Sequence, residues 1–94
     1  MRELYLDPAI RAQVMEVLRK VCPTATVWAY GSRVTGGAHP GSDLDLAVQG
    51  ASPARLKAAF VESDVPILVD VADWEALPPA WNVPANAILL YAGR

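Results

Sequence analysis

Residues 43–48, Asp-Leu-Asp-Leu-Ala-Val, alternate acidic and aliphatic side chains before turning wholly apolar. That alternation fits an extended strand with one face buried, because successive side chains on a strand point to opposite sides. Leu44 and Leu46 then enter a core and fix the register, which leaves Asp43 and Asp45 side by side on the other face. Two carboxylates so placed repel one another unless a cation lies between them. Hard oxygen ligands of this kind suit Mg²⁺, which completes its octahedron with water and substrate phosphate. The plain alternative is a solvated edge strand carrying two acids, since an Asp-x-Asp pattern is short.

The segments on either side read as a small α/β chain. Asp7-Pro8 has the form of an N-cap followed by proline in the first helical turn, and Ile10, Val14, Val17, Leu18 and Val21 recur at helical spacing until Pro23. Residues 26–30 (TVWAY) are β-branched and aromatic and predict a strand ending at Gly31. Residues 31–42 are rich in Gly, Pro and Ser and predict a loop that opens with a helical turn. Ser52-Pro53 repeats the cap signal ahead of a second helix that buries Leu56, Ala59 and Phe60. A strand is predicted over 67–73 and a last one over 87–92. The three prolines between Trp74 and Pro84 limit any helix there to one or two turns. The order α, β, β, α, β, β predicts an α+β fold: a small mixed sheet with helices packed on one side, within a single domain over 1–94.

A third acid lies in the strand over 67–73. Asp70 is flanked by Val69 and Val71, and an acid in such a run costs stability unless it is paired or binds a metal. With the valines facing the core, Asp70 takes the opposite face, and it converges on Asp43 and Asp45 if the two strands are neighbours. Asp73, at the strand's end and of opposite parity, reads as a cap for the segment that begins at Trp74. Gly31 and Ser32 sit where a strand gives way to a loop; glycine admits a close ligand and serine adds a hydroxyl, a combination that makes a phosphate cradle.

Composition narrows the rest. Of the 94 residues, 53% are hydrophobic, more than a core this small can hide, so self-association as a homodimer or a dedicated partner is expected. Eight Lys and Arg against ten Asp and Glu, with no basic run, make broad nucleic-acid binding unexpected. Cys22 alone can form no internal disulfide and reads as a core or helix-end residue. Nothing approaches a membrane span or a signal peptide, so a cytoplasmic location is expected.

Gly31-Ser32, then ten residues, then Asp43-Leu44-Asp45 resembles the GSx10DxD signature of the DNA polymerase β-like nucleotidyltransferases. The longer string GSRVTGGAHPGSDLDLAV is similar to that of the minimal nucleotidyltransferases, and VPILVDVADW around Asp70 resembles the family's third-carboxylate strand. The resemblance implies a palm-like nucleotidyltransferase fold and transfer of a nucleotidyl group, AMP from ATP or another NTP, to a hydroxyl. It implies two Mg²⁺ ions (Mn²⁺ able to substitute) on Asp43, Asp45 and Asp70, with Asp70 also activating the acceptor. Gly31, Ser32, Arg33 and Ser42 would form the nucleotide side, Arg33 neutralising the pyrophosphate. Against this, Arg33 also reads as a solvated loop residue and Ser42 as a cap leading the loop into the strand. His39 reads as an exposed loop residue, and Trp28, Trp74 and Trp81 as core, with Trp74 and Trp81 candidates for a partner surface.

The resemblance implies a partner, since such proteins are usually encoded beside an all-α HEPN protein and form a complex with it. Several such pairs behave as toxin and antitoxin, the nucleotidyltransferase adding AMP to the HEPN toxin. The competing functions are transfer to a small molecule, or a non-catalytic module that masks a HEPN partner. WNVPANAILLY departs from the family in place of a more regular short helix before the last strand.

Overall fold

A computed structural model of the chain describes residues 4–36, 42–80 and 87–93. His39, Trp81 and the first part of the divergent stretch (residues 81–86) lie outside the described residues, so the expectations placed on them have no structural counterpart. Helix α1 spans Pro8–Val21, strand β1 Thr26–Tyr30, the short helix α2 Ser32–Thr35 and strand β2 Leu44–Gln49. Helix α3 (Pro53–Val61), strand β3 (Val69–Asp73), a 3₁₀ turn (Trp74–Ala76) and strand β4 (Ala87–Ala92) complete the order.

The helix starts are set by local chemistry. The Asp7 carboxylate accepts from the Ala9 N–H at 2.8 Å, and the Ser52 hydroxyl accepts from the Arg55 N–H at 3.3 Å, each with proline opening the helix behind it. Cys22 ends α1 as its C-cap and is buried, and burial pushes its thiol pKa up, as suits a packed residue rather than a reactive one.

The sheet runs β3-β2-β1-β4. Strand β1 is antiparallel to both β2 and β4, while β2 and β3 are parallel and α3 makes the crossover between them. Val14 and Leu18 of α1 and Leu56 and Phe60 of α3 pack with Val27, Ala29, Leu44, Leu46, Val48 and Val69 in one core. Leu44 and Leu46 are completely buried, so the register follows the alternation in the sequence. By the same alternation Trp28, Tyr30, Asp45, Ala47 and Asp70 belong to the other face. There Trp28 stacks on Trp74 with ring centroids 3.8 Å apart and planes 14° from parallel. Ala47, the register partner of Trp28, is fully buried. The two tryptophans thus serve each other on the helix-free face rather than filling the main core.

Strand β4 is fastened at its end. The Tyr91 hydroxyl donates to the Pro23 carbonyl at 2.9 Å, and the Gly93 N–H donates to the Ala25 carbonyl at 2.9 Å. Among the described residues no helix is long and apolar enough to cross a membrane.

Candidate active site

The three strands β1, β2 and β3 carry a row of polar side chains across the helix-free face. Tyr30 of β1 pairs in register with Asp45 of β2, and Asp45 pairs with Asp70 of β3. Asp43 lies one residue ahead of β2, where the Leu44 N–H donates to the Leu68 carbonyl at 2.9 Å and anchors the strand's start. The expected neighbourhood of 43–48 and the Asp70 strand is therefore present, as a parallel pair.

The electrostatics record the crowding. Partial burial, then the charge of Asp70, then that of Asp43 push the Asp45 carboxyl above the usual carboxylate range. Tyr30 is raised too, by burial first and then by Asp45 and Asp70. Crowded negative charge of this kind is what a divalent cation relieves, and an all-carboxylate set is the donor chemistry Mg²⁺ accepts. The residues fit such an ion in kind. Their present arrangement is not a closed ligand cage: among the described residues, no three His, Cys, Asp or Glu side chains are gathered as an ion would require. Asp70 instead accepts from the Lys57 ammonium of α3 at 2.9 Å.

Gly31 stands against this row. Its backbone adopts φ +82° and ψ −155°, a conformation essentially confined to glycine, and a Cβ there would lie 2.5 Å from Oδ2 of Asp45. The chain thus passes close over the carboxylate before Ser32 opens α2. Val34 sits 2% exposed in the core and pins this short helix down.

Arg33 differs from its reading as a solvated loop residue. It is 5% exposed, and its guanidinium donates to the Ser42 carbonyl from Nε (3.1 Å) and Nη2 (2.7 Å) and to the Tyr5 carbonyl from Nη1 (2.7 Å). The Tyr5 N–H donates back to the Arg33 carbonyl at 2.7 Å. One buried fork thus ties the N-terminal segment, α2 and the approach to β2 together. Ser42, expected at the nucleotide or as a cap, supplies its carbonyl to this clamp. Asp73 caps as expected, accepting from the Glu75 N–H at 3.0 Å.

Lys57 and Tyr30 escape a reading of the sequence as members of the site. Nothing local marks Lys57, because its contact with Asp70 exists only once α3 is laid beside β3. Tyr30 carries a usable signal: it shares parity with Trp28 and immediately precedes Gly31.

Residues 12–83 match the model of the nucleotidyltransferase domain. A probable protein adenylyltransferase, MntA of Haemophilus influenzae (strain ATCC 51907 / DSM 11121 / KW20 / Rd), is 49% identical over an alignment covering 67% of this chain. The aligned part is 60% of that relative's own length. Among solved structures, a toxin–antitoxin crystallised with AMP-PNP superposes with a TM-score of 0.65 at 19% identity, over 89% of this chain and 74% of that one, and so shares the fold.

Proposed function

This chain belongs to the nucleotidyltransferase domain family, and from that premise we propose that it transfers AMP from ATP to a hydroxyl of a partner protein. The observation that carries the proposal is the Asp45–Asp70 register pair, with Asp43 beside it and Gly31 packed over Asp45. In the reaction the acceptor oxygen bonds to the α-phosphorus as the bond from that phosphorus to the bridging oxygen breaks. Pyrophosphate leaves, and the hydroxyl proton departs by way of Asp70. Mg²⁺ held by Asp43, Asp45 and Asp70 would neutralise the triphosphate and acidify the acceptor. Gly31 and Ser32 border the phosphates. Arg33 contributes by fixing the loop that carries them, through the Tyr5 and Ser42 carbonyls. Catalysis of this kind comes mainly from positioning and charge stabilisation.

The proposed acceptor is a HEPN-type all-α protein, with this chain as the antitoxin of the pair. The name of the Haemophilus relative, a probable protein adenylyltransferase, supports a protein acceptor, and the toxin–antitoxin neighbour supports a paired partner.

The test incubates the chain, Mg²⁺ and ATP labelled at the α-phosphate with clarified host lysate, beside an Asp43→Asn/Asp45→Asn double variant. Label on a protein band, absent with the variant, supports the proposal and yields the acceptor by mass spectrometry. Label on no macromolecule in either sample overturns the protein acceptor, in favour of a small-molecule acceptor or a masking role.

A further inference from the structure

Lys57 lies on α3, next to the fully buried Leu56 of the core-facing side, yet its ammonium donates to Oδ1 of Asp70 at 2.9 Å. Asp70 has the opposite parity to the buried Val69, and β3 is the last strand on its side of the sheet. The lysine therefore reaches its partner at the open edge of β3. Asp70 is the register partner of Asp45, so this ammonium is set against one end of the carboxylate row.

We infer that Lys57 is a resident counter-ion that holds Asp70 at the sheet edge and yields it when a divalent cation enters between Asp43, Asp45 and Asp70. The inference rests on the reading of Asp70 as the third ligand. Its physical basis is competition: an ammonium and a metal ion repel one another and call on the same carboxylate. Both side chains are more than half exposed, at 55% and 57%, so the pair is weak and readily exchanged. A buried pair would fix Asp70 permanently; this one releases it. The arrangement also agrees with the absence, among the described residues, of a ready-gathered set of three ligands.

The test measures binding of Mn²⁺, whose paramagnetism reports even weak occupancy, to the whole chain without nucleotide at low salt. Wild type is compared with Lys57→Met, Lys57→Arg, Asp70→Asn and the Lys57→Met/Asp70→Asn double variant. Lys57→Met should bind Mn²⁺ roughly two- to fivefold more tightly, the range an exposed ion pair allows. The gain should shrink in high salt, and Lys57→Arg should behave as wild type. Asp70→Asn should bind more weakly, and adding Lys57→Met to it should change nothing. If Asp70→Asn weakens binding while Lys57→Met leaves it unchanged or weaker, the counter-ion role is overturned and Asp70 remains a ligand. If Asp70→Asn binds as wild type, or wild type shows no saturable binding, the ligand reading fails and the inference with it.

Discussion

A Cβ added to Gly31 would lie 2.5 Å from Oδ2 of Asp45, so the backbone before α2 and the central carboxylate occupy adjoining space that leaves no room for a side chain. Gly31→Ala should therefore do two things. The strained backbone conformation should cost about 1–3 kcal/mol in urea unfolding. Displacement of Asp45 should abolish nucleotidyl transfer even in the fraction that remains folded, as assayed with α-labelled ATP at low temperature.

Asp45 itself should trade stability for function. Its folded pKa is raised, so the native state binds the proton more tightly than the unfolded chain, and ionisation costs the fold stability. That cost is present above the raised folded value and disappears as pH falls to the ordinary aspartate range. Asp45→Asn should raise Tm at neutral pH, with the gain vanishing in acid, and should eliminate transfer. A Tm difference that is the same at acid and neutral pH would sink the electrostatic account.

The Arg33 fork should prove structural on removal. Arg33→Ala deletes three donors to the Tyr5 and Ser42 carbonyls and should destabilise the chain by about 2–4 kcal/mol. Arg33→Lys should recover little, because an ammonium cannot reproduce the planar fork. Chemical denaturation measures both, and hydrogen exchange should rise at the Tyr5 amide, which bonds the Arg33 carbonyl.

Trp28 and Trp74 should couple energetically. A double-mutant cycle to alanine should return about 1 kcal/mol of interaction, and either single variant should lose the near-ultraviolet dichroism of the stacked pair.

Much of this is legible in the sequence because its signals are local. Asp7-Pro8 and Ser52-Pro53 announce the helices, and the strands 26–30 and 87–92 have the expected bounds, Gly31 following the first and Gly93 the second. The Leu44/Leu46 alternation places Asp45 on the face it occupies. Strand β3 is two residues shorter at its start than the apolar run predicts. Ile67 and Leu68 are apolar enough for a strand, but Leu68 is 72% exposed, and only its carbonyl joins β2, through the Leu44 N–H. The contacts Lys57–Asp70, Arg33–Tyr5 and Trp28–Trp74 leave no mark in the sequence. Each joins residues from separate segments, and only the assembled sheet brings them together. Arg33 reads either as a partner of the pyrophosphate or as a solvated loop residue, because a segment rich in Gly and Ser gives no hint that its guanidinium is buried.

The parallel pairing of β2 and β3 also acts as a gauge. Asp45 and Asp70 are held apart by one interstrand step, about 4.8 Å, a distance fixed by backbone hydrogen bonds rather than by side chains. The loops around the pair can lengthen or change composition without altering that step. Lengthening either acid by one methylene, to glutamate, does alter the reach between the two carboxylates, so at these positions Asp and Glu are not equivalent.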